Sequence, residues 1–292
     1  MRRPRLPTLL LLAATALPAR LFPAEPPGPL VVTHVANAGF LLEAAETKVL
    51  VDALFDDGIR GYGQIPDDLR PALIDGRPPF DGVDLALATH FHRDHFGRGA
   101  VLAFLEANPE ALFVSTPQAI DALDGAPAGL LERVRAILPR EGRSVVVDLD
   151  GIVVEVLNLH HGRDRDPPVE NLGFLLALGG QTVLHVGDTE ILASEIAPYR
   201  LPERGVDLAL LPSWLLAWPH WMETTRTGIR PARIAVMHVA TDEAPPSWFS
   251  NAGGYAEMKA RIAAVFPRAR IFRAPLESAV YPPPAPEPVG DD

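Results

Sequence analysis

The sequence predicts a layered α/β fold, because segments typical of strands and of helices alternate along the chain. Residues 83–89 form a nearly continuous apolar run, which is typical of a strand buried on both faces. Residues 97–107 then carry apolar side chains at helical spacing, and residues 111–115 return to strand character. Strands and helices that alternate in this way build sheets covered by helices.

Two hairpins are predicted in the second half of the chain. Asp150-Gly151 between residues 144–149 and 152–159 is a strong signal for a two-residue turn, and Gly179-Gly180-Gln181 indicates a second hairpin. The other strands are predicted at residues 30–34, 39–43, 48–53, 172–178, 182–186, 206–211, 234–238 and 270–272. Further helices are predicted at residues 117–123, 129–138 and 255–265.

Residues 1–24 are predicted to be a secretory signal peptide, which would make the protein secreted or periplasmic. Arginines precede a short apolar run, and small residues and prolines follow it. The run is too short to span a bilayer comfortably, so no stable membrane insertion is expected after cleavage. Cleavage after Ala16, Ala19 or Ala24 fits the pattern, and an uncleaved membrane anchor is the alternative interpretation.

One folded domain is predicted at residues 30–280. The 292 residues suit a single α/β unit, and a hydrophobic content of 48% supplies a sizeable core. Residues 25–29 are predicted to be a proline-rich linker. Residues 281–292 are predicted to be a disordered tail, because they are too rich in proline and acidic residues to pack.

Charge and cysteine content restrict the partners and the metal chemistry. The formal net charge is −11 and no basic cluster follows the signal region, so nucleic acid is not expected as a partner. The expected substrate is a small molecule. The chain has no cysteine, so any metal must be held by nitrogen and oxygen ligands. The oligomeric state is left open.

The strongest chemical signal is the motif Thr89-His90-Phe91-His92-Arg93-Asp94-His95, directly after the predicted buried strand. Residues two apart in an extended segment point to the same side, so His90 and His92 are expected to hold one metal. Asp94 and His95 are expected to face a second metal as the chain turns into a helix. A solvated histidine cluster is the alternative, but α/β folds place their sites at the carboxyl ends of strands.

The other candidate ligands also stand where predicted strands end. His160-His161-Gly162 follows the first hairpin, Gly187-Asp188-Thr189 follows residues 182–186, and His238 closes residues 234–238. Gly187 would let the backbone approach the site closely, and a bridging carboxylate suits two hard cations. A lone histidine such as His238 is otherwise more often an ordinary core or surface residue.

These residues, with His34-Val35-Ala36-Asn37-Ala38-Gly39-Phe40 and Leu50-Val51-Asp52, make residues 30–275 resemble the metallo-β-lactamase superfamily. Within it the pattern is similar to the ascorbate-phosphate-lactonase-like branch. The resemblance implies an αβ/βα four-layer sandwich, in which helices flank two mixed β-sheets and two metals lie at one edge.

The resemblance also implies a ligand set. The first metal would bind His90, His92 and His161, the second would bind Asp94, His95 and His238, and Asp188 would bridge both. His160 is the alternative to His161, which is preferred because Gly162 follows it as in the family's His-Gly step.

Several neighbouring residues have two interpretations. In the family, an aspartate placed like Asp52 fixes the ring of a metal-binding histidine, although Asp52 also fits an ordinary strand-end turn. Trp214, Trp218 and His220 would wall a substrate pocket, or the tryptophans would simply pack in the core. His185 lies within an apolar strand and is interpreted as structural.

The implied function is hydrolysis of an ester, lactone, thioester or phosphodiester by a hydroxide held between two metals, with Asp94 orienting it and relaying a proton. Zn²⁺ is the default cofactor, and Mn²⁺ or Fe²⁺ would suit the same ligands. True β-lactamases of the superfamily lack the aspartate offered here by Asp188, which disfavours antibiotics as substrates. The alternatives are an iron-dependent sulfur-oxidising oxidoreductase and a non-catalytic exported metal-binding protein.

Overall fold

Two seven-stranded mixed β-sheets, flanked by helices, form the fold, as the sequence predicted. The structure is a computed structural model that describes residues 28–162, 168–243, 245–251 and 253–282. The predicted signal peptide at 1–24 lies outside the described residues, as do residues 25–27 of the predicted linker and residues 283–292 of the predicted tail. These three predictions therefore stay predictions.

The strands follow in chain order, six in the first sheet, then seven in the second, and a last one that returns to the first. They are β1 Leu30–Ala36, β2 Gly39–Ala44, β3 Thr47–Val51, β4 Leu85–Leu87, β5 Leu112–Ser115, β6 Val134–Ala136, β7 Ser144–Leu149, β8 Ile152–Asn158, β9 Leu172–Leu178, β10 Gln181–His185, β11 Leu208–Pro212, β12 Arg233–Met237, β13 Arg270–Ile271 and β14 Ser278–Tyr281. The spatial orders are β14-β1-β2-β3-β4-β5-β6 and β13-β12-β11-β10-β9-β8-β7.

The described helices are mostly short and lie between the strands. They are α1 Arg70–Ile74, α2 Arg98–Ala107, α3 Pro117–Asp121, α4 Ala128–Leu131, α5 Ala193–Ile196, α6 Leu201–Arg204, α7 Trp214–Ala217, α8 Pro219–Glu223, α9 Ser247–Asn251 and α10 Gly254–Val265, with a 3₁₀ turn at Ala197–Tyr199 and a π-helix at Thr224–Ile229. None of those in the described part of the chain combines the length and apolarity that a membrane span requires.

Strand β2 shows why successive positions of a central strand in the first sheet are apolar. Phe40 and Leu42 point into the core that both sheets share, whereas Leu41 points to the opposite face, where Phe104 of α2 is buried. Because side chains alternate along a strand, a sheet covered on both faces needs apolar residues at every position. One face of the strand therefore packs against the second sheet, and the other face packs against a helix.

Two local predictions were wrong. Residues 129–138 were expected to be one helix, but α4 ends at Leu131 and β6 follows as an edge strand that pairs parallel to β5. The predicted tail begins one residue too early, because Tyr281 closes β14, pairs with Leu30 and is buried. Strands β6 and β14 have only three and four residues, and periodicity over so few positions does not separate a strand from a helix or from a tail.

The topology brings many strand ends to one edge of the molecule. Strands β3, β4 and β5 run parallel in the first sheet, and β10, β11 and β12 run parallel in the second. Strand β8 has the same direction as β10, because each is antiparallel to β9. The loops that follow β4, β8, β10 and β12 carry the predicted ligands, and carboxyl-end loops of this kind are where α/β sheets place their sites.

A buried ion pair joins the second sheet to α6. Glu155 on β8 is buried, and its Oε2 and Oε1 accept hydrogen bonds from Arg204 Nη1 and Nη2 at 2.8 and 3.0 Å. Ser144 Oγ donates a further hydrogen bond to this carboxylate at 2.5 Å. The contact ties the end of α6 to the paired strands β7 and β8.

We expect Arg204→Met to lower the free energy of unfolding by about 3 kcal/mol, because it leaves a carboxylate buried without its cation. Urea denaturation measures the loss. The double variant Arg204→Met with Glu155→Leu removes both charges and serves as the control, which should recover most of the stability. A loss below about 1 kcal/mol in the single variant would contradict this account, since it is typical of an exposed pair.

Candidate metal centre

Histidine and aspartate side chains from four loops meet at the strand-end edge of the two sheets. His90, His92, Asp94 and His95 follow β4 within a single loop. Three groups, each with ligand atoms within 4.8 Å of one another, contain all seven residues predicted as ligands: His90, His92 and His161; His90, His95 and Asp188; and Asp94, His95 and His238. The first and third groups share no residue, so the cluster divides into two halves.

The Asp188 carboxylate lies between the two halves. Its Oδ2 is 3.0 Å from His238 Nε2 and 3.2 Å from His95 Nε2 on one side. On the other side the same oxygen is 3.5 Å from His161 Nε2 and 4.0 Å from His90 Nε2. One carboxylate oxygen therefore faces imidazoles of both halves.

Gly187 allows Asp188 to occupy that position. It has a φ of +60°, and a Cβ there would lie 2.3 Å from Asn171 Oδ1 and 2.7 Å from Thr89 Oγ1. The buried Asn171 side chain donates to the backbone oxygens of Leu159 and Val186, and its Oδ1 accepts from Asp188 N. Asn171, which the sequence analysis missed, thus ties the loop after β10 to the end of β8.

Asp52 lies directly behind His95, in the place that the resemblance implied. Its Oδ1 accepts from Thr89 N at 2.7 Å, and its Oδ2 accepts from Thr89 Oγ1 at 2.7 Å and from His95 Nδ1 at 2.8 Å. Because a carboxylate only accepts, His95 must carry its proton on Nδ1. The Nε2 atom of His95 is then left unprotonated toward Asp188 in the neutral ring.

Asn37 is a second site residue that sequence reasoning did not identify. It occupies the tight turn after β1 with a φ of +49°, and its Nδ2 donates to Asp94 Oδ2 at 2.9 Å. Its backbone oxygen accepts from His238 N at 3.2 Å. The turn between β1 and β2 thereby holds one residue from each sheet, and the only sequence signal was an Asn-Ala-Gly turn within the motif of the resemblance.

The adjacent histidines 160 and 161 take different places. His161 joins His90 and His92, whereas His160 Nε2 lies 3.4 Å from Glu195 Oε2, away from the three groups. The geometry therefore favours His161 as the candidate ligand. His185 is fully buried and contacts the Ala38 carbonyl through Nε2 at 3.0 Å, which agrees with a structural role.

Opposite charges balance inside the cluster. Burial disfavours the charged form of His238, but Asp188 and Asp94 outweigh it and raise its pKa to about 9. Burial also opposes protonation of His95, whose pKa nevertheless lies well above its usual value because of Asp188, Asp52 and Asp94. For His90, burial and the neighbouring His95 hold the pKa well below the usual value.

The pKa values of the two carboxylates in the cluster, Asp94 and Asp188, are lowered. Burial alone would raise the pKa of Asp188, but His238 and His95 hold it well below the usual value, and Asp94 shifts in the same direction for similar reasons. The ion pairs of both carboxylates within the described chain involve histidines. Buried negative charge of this kind requires positive charge close by.

Several buried atoms of the cluster have no hydrogen-bond partner among the described residues, and they fit a metal site. They are Oδ1 of Asp94 and of Asp188, Nε2 of His95, and both ring nitrogens of His161 and of His238. Buried polar atoms in proteins are normally paired, so unpaired carboxylate oxygens and imidazole nitrogens that lie close together fit a bound cation. Imidazole nitrogen and carboxylate oxygen suit zinc and other divalent transition metals.

A cavity of about 770 Å³ opens onto these residues. Trp214, Trp218 and His220 line it, and both tryptophans also pack against the shared core. That these residues wall a substrate pocket stays a prediction. Trp221, from the same tryptophan-rich stretch of sequence, also lines the cavity. The sequence analysis did not single out four further lining residues: Ile59, Tyr62, Arg93 and Glu190.

Comparison with known proteins agrees with this geometry. Residues 47–245 match the family described as the beta-lactamase superfamily domain. A metal-dependent hydrolase of Pyrococcus abyssi is 25% identical over 183 residues, which cover 62% of this chain and 71% of that protein. One of Pelotomaculum thermopropionicum is 26% identical over 238 residues, which cover 76% of this chain and 90% of that protein.

Solved structures share the fold. Igni18, a metallo hydrolase from Ignicoccus hospitalis, has 17% identity and a TM-score of 0.56 over 87% of this chain and 98% of its own. The metallo-beta-lactamase fold protein YhfI from Bacillus subtilis has 13% identity and a TM-score of 0.57 over 87% of this chain and 100% of its own. The family match over more than half of the chain, on this two-sheet scaffold, shows that the protein belongs to the metallo-β-lactamase superfamily.

Proposed function

We propose that this protein, a metal-dependent hydrolase, uses two divalent cations to cleave an ester, lactone, thioester or phosphodiester bond. The observation that carries the proposal is the Asp188 carboxylate, whose Oδ2 lies within 4.0 Å of imidazoles in both halves of the cluster. A single-cation site would need only one of these halves. The relatives that carry the name metal-dependent hydrolase support the reaction class.

The three groups of candidate ligands suggest how the residues would divide between the two cations. His90, His92 and His161 would hold the first, Asp94, His95 and His238 would hold the second, and Asp188 would contact both. Two cations placed in this way lower the pKa of water, which supplies the nucleophile, and they stabilise negative charge on a substrate oxygen. Zn²⁺ is the first choice for this ligand set, and Mn²⁺ or Fe²⁺ are further choices.

The chain's own groups would orient the reaction and move the proton. Asp94 lines the cavity, and the hydrogen bond from Asn37 holds its Oδ2, which leaves Oδ1 without a protein partner. We infer that Asp94 takes a proton from the attacking water and passes it to the leaving group. Asp52 and Thr89 act indirectly: Thr89 donates to Asp52, and Asp52 holds the ring of His95 in place.

We expect zinc-loaded protein to hold about two metal equivalents per chain, and His92→Ala and His161→Ala each to lose at least one. Elemental analysis after gel filtration measures the content and also identifies the metal in protein as purified. His160→Ala is the matched control, since it removes the adjacent imidazole outside the three groups and should keep both equivalents. Full metal content in the His92 and His161 variants would refute the ligand assignment.

We expect metal-dependent turnover of at least one member of a panel made of 4-nitrophenyl acetate, γ-butyrolactone, a thioester and bis(4-nitrophenyl) phosphate. A chelator should abolish the rate and added zinc should restore it. Asp94→Asn should lower kcat by about 100-fold or more if Asp94 transfers the proton. An unchanged rate in Asp94→Asn with full metal content would exclude that role, and activity that survives chelation would exclude the metal mechanism.

We also infer that the protein is exported, to the periplasm or the medium, on the strength of the arginine, apolar and small-residue pattern of residues 1–24. The expected mature protein, recovered from a bacterial host's extracytoplasmic fraction, begins directly after residue 16, 19 or 24, as intact mass would show. Recovery of only uncleaved protein in the membrane fraction would instead identify an anchor.

A further inference from the structure

The cavity above the metal centre has an aromatic wall, defined here as Tyr62, Trp214, Trp218 and Trp221. The three tryptophans come from α7, α8 and the residue between them, and Tyr62 comes from the loop between β3 and α1. All four side chains are partly buried and pack against the shared core, so the wall rests on the fold. A cavity of about 770 Å³ has the size of a small-molecule site.

Two of the tryptophans present apolar surface without a spare donor. Trp214 Nε1 donates to the Thr189 backbone oxygen at 2.9 Å, and Trp221 Nε1 donates to the Glu190 backbone oxygen at 3.0 Å. Both acceptors lie in the segment directly after Asp188. These two hydrogen bonds fasten the wall to the loop that carries Asp188, and they already use the indole N–H groups of Trp214 and Trp221.

The wall also stands next to the proposed reacting centre. The Tyr62 ring centroid lies 4.3 Å and the Trp214 centroid 5.0 Å from that of His238, both in an edge-to-face arrangement. A substrate bond placed among the proposed ligands would therefore lie within about one ring's width of aromatic surface. The group attached to that bond would contact the wall.

Apart from the proposed cations, the cavity lining offers little positive charge to a substrate that carries several negative charges. Arg93 is the single arginine or lysine among the described residues that line it, and it donates through Nε and Nη2 to the backbone oxygens of Asp57 and Gly58. Asp94, Asp188 and Glu190 line the same cavity. The apolar wall offers no counter-charge to a phosphodiester chain.

We infer that the cavity selects an ester or lactone whose acyl part carries an aryl group, or an apolar group of similar size, beside the scissile carbonyl. The inference rests on the proposed function and narrows it. In this reaction the oxygen of one water bonds to the carbonyl carbon, the bond from that carbon to the alcohol oxygen breaks, and the alcohol oxygen takes a proton. The aryl group remains on the acid product.

Two methyl esters test the selection, because they share a leaving group with no aromatic ring. Hydrolysis of methyl 2-naphthylacetate and methyl acetate by the zinc-loaded full chain is followed by proton release. We expect kcat/KM to be at least about 10-fold higher for the naphthyl ester, because burial of its ring against aromatic side chains contributes binding free energy. Trp218→Ala should reduce this ratio by about 10-fold, and Trp218→Phe should retain most of it.

Met222→Ala is the control, because Met222 belongs to α8 but does not line the cavity. It should leave the ratio unchanged. Trp221→Ala provides a second wall variant if Trp218→Ala fails to fold, which the metal content and the unfolding midpoint of each variant reveal. An equal kcat/KM for the two esters, or a ratio that the wall variants do not change, would overturn the inference.

A binding measurement separates this inference from the proposed function. Quenching of tryptophan fluorescence by 2-naphthylacetate, the acid product, gives a Kd in zinc-loaded and in metal-free protein, with acetate as the control ligand. Tight binding of the naphthyl acid that the wall variants weaken, without hydrolysis of any ester, would support the wall as an aryl-binding surface but refute the hydrolase proposal and the substrate class drawn from it. Metal-dependent hydrolysis with no naphthyl preference in rate or binding would refute the inference alone.

Discussion

The buried carboxylates of Asp52, Asp94 and Asp188 impose the constraint on which the site depends. A carboxylate removed from water is stable only when positive charge or hydrogen-bond donors surround it. Asp52 satisfies this need with Thr89 and His95, whereas each of the other two has one oxygen without a hydrogen-bond partner among the described residues. Protein groups therefore satisfy the outer carboxylate, Asp52, whereas the two central carboxylates present oxygens to which divalent cations fit.

The fold meets this constraint by letting both sheets contribute at one edge. The loop after β4 in the first sheet supplies four candidate ligands, and the loops after β8, β10 and β12 in the second supply one each. Asn37, in the turn between β1 and β2, contacts Asp94 and the backbone of His238 and so joins the two sets. Because rigid strands hold the loops, the ligand positions are set before a cation arrives.

The aromatic wall is coupled to the same framework. Trp214 and Trp221 are bonded to the segment that follows Asp188, so the surface expected to hold the substrate and the carboxylate expected to bridge the cations cannot move independently. Such coupling keeps a bound group in register with the reacting centre, which is a large part of the advantage that a bound substrate has over one in solution. The residues expected to contact the substrate and those expected to bind the cations therefore belong to one hydrogen-bonded framework.

The sequence by itself determined the layered α/β class, the loop with His90 to His95 and the positions of the distant ligands, because ligand types at strand ends leave a local pattern. It did not decide between His160 and His161, since adjacent residues have the same local signal and only packing of the loop separates them. The contacts of Asn37, Asn171 and Tyr62 were likewise decided by the tertiary structure. Their roles arise from contacts between segments far apart in the chain, and no local spacing encodes such contacts.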